Sequence, residues 1–251
     1  MVSISELVNY FIGKWFGWLI VLITKLLTAF ALITIGTMNK KTLIVAATYQ
    51  ELSPTFSHFG WQETNFIEQL NFDVLITGVG MTATAFALGQ TLNDSYGLIV
   101  NAGIAGSFNK TIALGSLVNI TEDIFSELGA EDGDAFLPID DLGFGKSAYT
   151  SPSVENDLIK GLKVVKGITV NTVHGHTTRI EQLLERLPIE TESMEGAAVF
   201  YAGERLNIPA VQIRSISNYI EQRNKENWEI GLAIKNLNEW LIHYLNAKFA
   251  E

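Results

Sequence analysis

Two glutamates and one asparagine are the residues of this chain best suited to bind a polar ligand. Glu51 follows an apolar segment, Glu195 stands just before a Gly-Ala-Ala run, and Asn218 follows a second apolar segment. A carboxylate can accept both hydroxyl donors of a sugar diol, and a carboxamide can donate and accept at once. The three side chains can therefore converge on one ligand if the fold brings them together.

The first of these residues is predicted to lie at an edge of a β-sheet. Leu43–Ala47 is a continuous apolar run, which is typical of a strand buried on both faces. Glu51 is expected in the loop that follows, at the carboxyl end of the sheet, where open α/β folds bind their ligands.

The other two residues are predicted to lie on consecutive elements nearer the carboxyl terminus. Met194–Leu206 is predicted to be a helix with Ser193 as its N-cap, which places Glu195 in the first helical turn. The apolar run Ala210–Ile216 predicts a buried strand, and Asn218 is expected where that strand ends.

The alternation of strands and helices continues throughout residues 38–251, which predicts one α/β domain. Glu122–Gly145 is polar and acidic, and it is predicted to be a long surface excursion. The remaining predicted strands and helices are Val74–Thr77, Met81–Leu92, Leu98–Asn101, Leu117–Ile120, Ile168–Val173, Thr178–Arg186 and Glu226–Ala247.

The composition excludes several classes of function. The chain has 251 residues, of which 47% are hydrophobic and 18% are charged, as expected of one domain with a full core. The net charge of -10 argues against a nucleic-acid groove, because phosphate binding requires clustered lysine and arginine. The chain has no cysteine, so neither a disulfide nor thiolate chemistry is expected.

The first 37 residues differ in kind from the rest. Phe16–Thr37 is apolar apart from Lys25 and several threonines, and it is long enough to cross a bilayer. Three interpretations stay open: residues 1–37 precede the true start at Met38, they form an uncleaved membrane anchor, or they form a cleaved signal peptide. The first is favoured, because Met38 leads directly into the strand Leu43–Ala47, and it implies a cytoplasmic protein.

Two motifs that suggest a cofactor or a metal are incomplete. Gly78-Val79-Gly80 resembles the start of a dinucleotide-binding turn, but Asn101 stands where an acidic partner is expected about twenty residues later. His174 and His176 lack further ligands at standard spacing. We therefore expect no cofactor and no metal. The backbone N–H groups of the Gly78-Val79-Gly80 turn are expected to line an anionic or ribose site. The two histidines are expected to have structural or substrate-contact roles.

Taken together, these segments resemble the purine nucleosidase and phosphorylase superfamily. Met194-Glu195-Gly196-Ala197-Ala198 is similar to the Met-Glu signature of the nucleosidases that cleave methylthioadenosine and adenosylhomocysteine. The resemblance extends from about Thr42 to Leu245. It implies a three-layer α/β/α fold with a central twisted mixed β-sheet, a small nucleoside substrate, and a homodimer or higher homo-oligomer.

The resemblance also implies roles for individual residues. Glu195 would hold the ribose hydroxyls, Glu51 would position the attacking water, and the loop Asn101–Gly106 would lie beside the base. The further substrate contacts that the resemblance implies are Met194, Thr77 near the ribose, Ala102, Gly103, Val173 against the purine, Ser217, and Trp228 at the far end of the substrate.

Asn218 distinguishes this chain from the adenine-cleaving members, which carry Ser-Asp where it has Ser217-Asn218. An aspartate can protonate the purine, whereas an asparagine cannot deliver a proton but can donate a hydrogen bond from its NH2 group, which suits a 6-oxopurine. With the segments Ile213–Glu221 and Glu127–Asp134, this feature resembles the futalosine hydrolases. They release hypoxanthine from futalosine in a route to menaquinone.

Water is the expected nucleophile. Phosphorylases of the superfamily hold phosphate with arginines of the N-terminal half, and this chain has no arginine before Arg179. Three alternatives stay open: a 6-oxopurine nucleoside phosphorylase, a methylthioadenosine-type nucleosidase, and a nucleoside-binding protein anchored through residues 16–37. The presence of both Glu51 and Glu195 favours an enzyme, because a binding protein gains nothing from a carboxylate that activates water.

Overall fold

The computed structural model describes residues 23–25, 40–133 and 135–249. The chain divides into two compact units, Met1–Asn39 and Lys40–Glu251. In the first unit only Ile23–Lys25 are described, and they are helical. The three interpretations of Phe16–Thr37 therefore fall almost entirely outside the described residues. Among those that are described, no helix is both long and apolar enough to cross a membrane.

The described part of the second unit contains eleven strands, most of which belong to one mixed sheet. In chain order they are β1 (Lys41–Ala46), β2 (Phe66–Glu68), β3 (Phe72–Ile76), β4 (Tyr96–Ser107), β5 (Leu117–Phe125), β6 (Gly129–Asp132), β7 (Ala135–Pro138), β8 (Ala148–Thr150), β9 (Lys163–Thr169), β10 (Thr191–Ser193) and β11 (Ala210–Tyr219). The sheet order is β10-β9-β5-β11-β4-β1-β3-β2, with β8 beside β5, while β6 and β7 form a separate hairpin.

The centre of this sheet is parallel. β1 lies between β3 and β4, β4 also pairs with β11, and all three pairings are parallel. β10 pairs with β9 in parallel and with β4 in antiparallel fashion, so β4, β11, β5, β9 and β10 close into a ring. The carboxyl ends of β1, β4 and β11 consequently meet at one edge of the sheet, where ligands bind in α/β folds.

Helices cover both faces of the sheet. They are α1 (Tyr49–Phe59), α2 (Met81–Thr91), α3 (Asp157–Lys160), α4 (Thr177–Arg186), α5 (Gly196–Leu206) and α6 (Ile230–Phe249), the last preceded by a 3₁₀ turn at Lys225–Asn227. Successive residues of β1 point to opposite faces. Ile44 packs with Leu52 of α1 and Leu241 of α6, whereas Leu43 packs with Leu88 of α2 in a cluster that includes α5. The predicted three-layer α/β/α fold is therefore confirmed.

Some predicted element boundaries are wrong next to the candidate site. Glu51 lies in the first turn of α1, a helix that the apolar pattern does not predict, rather than in a loop. α5 begins at Gly196 rather than Met194, so Glu195 itself is the N-cap residue in place of Ser193. β11 continues past Ile216 to Tyr219, so Asn218 lies inside a strand.

Two predicted loops also contain strand structure. The first residues of Glu122–Gly145 extend β5 to Phe125, and the middle of that segment forms the β6–β7 hairpin. Asn101–Gly106, expected to be a loop, is the carboxyl half of β4. By contrast, the predicted strand Ile168–Val173 ends at Thr169. The extensions of β4 and β5 share one cause, because both gain their pairing from strands distant in sequence, whereas β6 and β7 pair locally.

Candidate active site

A cavity of about 350 Å³ opens at the carboxyl end of β4 and β11. It is lined by seven of the ten residues that the sequence predicts to bind or transform a substrate: Glu51, Val173, Met194, Glu195, Ser217, Asn218 and Trp228. The structure thus brings together side chains from α1, β11 and the segments before α4, α5 and α6.

The other three predicted residues lie outside the cavity lining. The hydroxyl of Thr77 is 2.9 Å from the Gly78 carbonyl oxygen and 3.2 Å from the Thr84 hydroxyl, so it closes the β3–α2 turn. Ala102 is fully buried in the hydrophobic core. Gly103 also lies outside the cavity lining, next to the side chains of Arg214 and Glu51.

Glu51 is fixed between α1 and β4. Thr48 is the N-cap of α1, and the Thr48 backbone N–H donates to Glu51 Oε2 at 3.0 Å, while the Thr48 hydroxyl accepts from the Glu51 N–H at 3.3 Å. This reciprocal capping box restricts the rotamer of the side chain. Glu51 Oε1 accepts the backbone N–H of Ile104 at 3.0 Å.

The surroundings of Glu51 favour its action as a base. Burial raises the pKa of Glu51 above its ordinary value of 4.5, and the charge of Glu195 raises it further, while Arg214 and the Ile104 hydrogen bond oppose the shift. A carboxylate with a raised pKa is a stronger proton acceptor near neutral pH than an exposed one. Glu51 can therefore accept a proton from a water in the cavity.

Glu195 is held from two directions. Its Oε1 accepts the backbone N–H of Gly80 at 3.0 Å, and its Oε2 lies 3.5 Å from Arg214 Nη1. Gly80 has a φ of 95°, a backbone conformation that residues with a Cβ rarely adopt. The turn expected to line an anionic or ribose site thus donates to a carboxylate of the protein itself. This donor and Arg214 orient Glu195 at the cavity wall.

Arg214 is the functional residue that sequence reasoning misses. Its side chain is 1% exposed, and its Nε donates to Gln212 Oε1 at 2.9 Å. With the Asn101 amide oriented to satisfy its neighbours, Arg214 Nη2 donates to Asn101 Oδ1 at 2.9 Å. The signal for this role is an arginine within the apolar run Ala210–Ile216, because a buried cation requires partners.

Gly103 allows Arg214 and Glu51 to approach each other. A Cβ at position 103 would collide with Arg214 Nη1 and would lie 2.9 Å from Glu51 Oε1. Glycine is therefore required here by the packing of the two charged side chains rather than by contact with a substrate.

A β-bulge aims Asn218 into the cavity. Asn218 pairs with Gly106 of β4, while Ser217 is the extra residue in the register. The Ser217 hydroxyl donates to Asn218 Oδ1 at 2.8 Å, and Asn218 Nδ2 donates to the Tyr219 carbonyl oxygen at 3.2 Å. The amide is thereby oriented with its oxygen satisfied, and its NH2 group retains one hydrogen for a ligand.

Two further pairs of side chains face the cavity. The guanidinium carbon of Arg223 lies 4.8 Å from the centre of the Trp228 ring, which combines a positive charge with an aromatic surface. His174 Nδ1 is hydrogen-bonded to the buried carboxylate of Glu192.

Across the described ranges, no group of three or more His, Asp or Glu side chains is arranged to hold a metal ion.

Comparison with known proteins identifies the family of the chain. A family model described as the phosphorylase superfamily matches residues 71–243. The futalosine hydrolase of Streptomyces coelicolor is 35% identical over 181 residues, which cover 67% of this chain and 76% of that protein. The futalosine hydrolase of Acidothermus cellulolyticus is 30% identical over 216 residues, which cover 80% of this chain and 88% of that protein.

A solved structure shares the fold. The native futalosine hydrolase of Helicobacter pylori aligns with a TM-score of 0.70 and 17% sequence identity, covering 84% of this chain and 99% of that one. The predicted nucleoside phosphorylase-like architecture is therefore confirmed. By its family model and by its sequence identity to curated relatives, the chain belongs to the phosphorylase superfamily and, within it, to the futalosine hydrolase family.

Proposed function

We propose that this protein hydrolyses the N-ribosidic bond of futalosine, releasing hypoxanthine and dehypoxanthine futalosine in the route to menaquinone. The observation that carries the proposal is the convergence of Glu51, Glu195 and Asn218 on one cavity. The 35% identity to a futalosine hydrolase supports this choice of substrate.

The sugar lies beside the two glutamates in this proposal. Breaking a ribosyl C–N bond develops positive, oxocarbenium-like charge on the sugar, and nearby carboxylates stabilise that charge. Glu195 accepts the ribose hydroxyls, and Glu51 takes a proton from the attacking water. Arg214 lies next to both carboxylates and reduces the repulsion between them.

The base lies beside Asn218. The free hydrogen of its NH2 group donates to N7 or to the 6-oxo group of hypoxanthine, where negative charge develops as the bond breaks. A donor that interacts more strongly in the transition state than in the ground state accelerates the reaction. The far end of futalosine carries an aromatic carboxylate, for which Arg223 and Trp228 supply a cation and an aromatic contact.

Water rather than phosphate is the nucleophile in this proposal. Among the described residues that line the cavity, Arg223 is the only arginine or lysine, and it is stacked on Trp228. A phosphate would need cationic or backbone donors beside Glu51. A 6-oxopurine phosphorylase is therefore the less favoured alternative.

We also infer that the protein forms a homodimer or a higher homo-oligomer. A groove of about 440 Å³ between α2 and α5 is lined mainly by apolar side chains, including Met81, Leu128 and Tyr201. Phe86 of α2 is 67% exposed. Apolar patches of this kind are typical of protein interfaces. Sedimentation of the purified protein tests the inference, and a monomer at micromolar concentration contradicts it.

The test of the proposed function is the release of free base without added phosphate. The purified protein is incubated separately with futalosine, inosine and methylthioadenosine, and the bases are separated by chromatography. Hypoxanthine from futalosine supports the hydrolase. Adenine from methylthioadenosine contradicts the role of Asn218, and cleavage of inosine only after phosphate is added identifies a phosphorylase.

A further inference from the structure

His174 is a titratable cavity residue to which the mechanism above gives no role. Its Nδ1 is hydrogen-bonded to one carboxylate oxygen of Glu192, and its backbone N–H donates to the other at 2.9 Å. The Glu192 side chain is fully buried, so the imidazole is fixed against a rigid acceptor. Within the part of the chain that the structure describes, Nε2 of His174 has no hydrogen-bond partner.

The strand register places this pair opposite Asn218. Gly106 of β4 pairs with Glu192 of β10 on one side and with Asn218 of β11 on the other. Neighbouring strands are about 4.8 Å apart, so the two flanking residues stand about 10 Å apart across the glycine. Directly paired residues project to the same face of a sheet. The His174–Glu192 pair and Asn218 therefore flank Gly106, and all three side chains line the same cavity.

The glycine at position 106 makes room for the Ile220 side chain beside Asn218. A Cβ at position 106 would lie 3.2 Å from Asn218 Nδ2 and would collide with the Ile220 side chain. The cavity is lined by both Asn218 and His174, so the edge of a bound base can have the carboxamide on one side and the imidazole on the other.

We propose that His174 is the general acid that protonates the departing purine, and that Glu192 is the positioning residue that orients the imidazole. Asn218 can donate a hydrogen bond but cannot transfer a proton. A protonated imidazole can transfer a proton from a ring nitrogen, and the imidazole of His174 lies at this cavity. The proposal rests on the nucleoside hydrolysis proposed above.

The step balances without a further reactant. The bond between C1′ and N9 breaks, its electron pair stays on the purine, and a purine ring nitrogen takes the proton from Nε2 of His174. The water oxygen bonds to C1′ and its proton passes to Glu51. Exchange with solvent then removes the proton from Glu51 and returns one to His174.

Several charged groups share the cavity with the imidazole. They are Glu51 from α1, Glu192 from β10, Glu195 before α5, and Glu221 and Arg223 after β11. Among the described residues, Glu192 is the one hydrogen-bonded to the imidazole, while the Phe108 ring lies 6.4 Å from it, centre to centre. A purely structural alternative is that the pair fastens the segment before α4 to β10, and the experiment must separate the two roles.

The experiment compares His174→Gln with His176→Gln. His176 is exposed, lies outside the cavity lining and makes no side-chain cap to α4, so its replacement is the matched control. Each protein is assayed from pH 5 to 9 with futalosine and with a 4-nitrophenyl riboside, whose phenolate leaves without a proton. For His174→Gln we expect kcat on futalosine to fall about 10²- to 10⁴-fold, as for loss of an acid catalyst. The decline of kcat at alkaline pH should disappear, and cleavage of the activated riboside should be largely retained.

The proposal is overturned if His174→Gln keeps the kcat of the wild type, loses it equally on both substrates, or keeps the alkaline decline. If the wild type does not cleave the activated riboside, the pH profile on futalosine decides alone. Glu192→Gln should lower kcat with little change in KM, and a change in thermal stability alone would assign Glu192 a structural role. A wild type that leaves futalosine intact but cleaves the activated riboside refutes the proposed substrate, while activity on neither riboside overturns both proposals.

Discussion

Arg214 Nη1 lies 3.5 Å from Glu195 Oε2, and both side chains are more than nine-tenths buried. Removing two charges from water is unfavourable, so a buried pair of this kind adds little net stability. Its value is positional, because Arg214 is itself fixed by Gln212 and Asn101. The ion pair therefore transmits the rigidity of the sheet to Glu195, the carboxylate that we propose holds the ribose.

Replacement of Arg214 by methionine should be strongly destabilising. The change leaves the carboxylate of Glu195 buried without its cation, and loss of one partner from a buried ion pair typically costs about 3–5 kcal/mol. Urea unfolding measures the loss of free energy, and kcat on futalosine should fall with it. Arg214→Lys keeps the charge but not the planar donors, so it should lie between the methionine variant and the wild type. An unchanged urea midpoint for Arg214→Met would contradict the assigned pairing.

Gly103→Ala should impair the same site by steric means. The new Cβ would meet Arg214 Nη1 and Glu51 Oε1, and both side chains are buried and held by hydrogen bonds, so overpacking should cost about 1–3 kcal/mol and lower kcat. Gly89→Ala is the matched control, since nothing lies within 4 Å of its Cβ and it stands inside α2. That control should gain about 0.5–1 kcal/mol. Equal effects of the two substitutions would refute the steric argument.

The strands could be predicted from the sequence because their apolar runs are buried on both faces. In β1, for example, Leu43 and Ile44 pack into two different hydrophobic clusters, one on each face of the sheet. α1 was not predicted because Pro54 stands inside it, and a proline has no backbone N–H to donate to the Gln50 carbonyl oxygen. The structure satisfies that carbonyl with the Ser53 hydroxyl at 3.3 Å. The spacing of Thr48 and Glu51, which form a capping box, is the sequence pattern that indicates this helix.

The arrangement of the cavity wall depends on contacts that no local pattern contains. The bulge at Ser217 and the pairing of Gly106 with both Glu192 and Asn218 arise from strands distant in sequence. Arg214 is aimed by Gln212 and Asn101 through the same sheet. Sequence alone therefore indicates which residue types are present, while the register decides which of them face one another.

Glu51→Gln should abolish most of the activity and change its dependence on pH. Glu51 must be ionised to accept a proton from water, and burial raises its pKa above 4.5. The wild-type rate should therefore decline on the acid side at a pH above 4.5. In the variant, kcat should be about 10²- to 10⁴-fold lower, and the acid decline should be absent. Measuring kcat as a function of pH checks both points. If the variant still lost activity at low pH as the wild type does, that decline would belong to a group other than Glu51.

Asn218→Asp should shift the preference from 6-oxopurine to adenine ribosides. An aspartate can accept from a 6-amino group and can carry a proton to the base, whereas it repels a 6-oxo group when ionised. The ratio of kcat/KM for methylthioadenosine to that for futalosine should rise by at least about 10²-fold, since unmatched hydrogen-bonding groups discriminate strongly. Asn93→Asp, at an exposed position away from the cavity lining, controls for the added charge. A ratio that stays constant would remove Asn218 from the base contact.

Asp123 is a fully buried carboxyl group next to the site, and it should make stability depend on pH. It accepts from Gln212 Nε2 at 2.7 Å and from the Thr169 hydroxyl at 2.8 Å. Burial raises the pKa of Asp123 from 3.8 to about 6, although these hydrogen bonds and Arg214 oppose the shift. Between these two values the folded chain binds a proton that the unfolded chain has lost.

The free energy of unfolding that Asp123 contributes should therefore fall as pH rises from about 4 to about 6 and stay constant above that. At 1.36 kcal/mol for each pKa unit, the change is on the order of 3 kcal/mol. Asp123→Asn removes the titration, and its changed hydrogen bonds with Gln212 and Thr169 alter stability equally at every pH. Urea unfolding of both proteins from pH 4 to 8 isolates the effect, because the stability of the variant relative to the wild type should rise across that window and then level off. A difference that is constant from pH 4 to 8 would show that folding does not raise the pKa of Asp123.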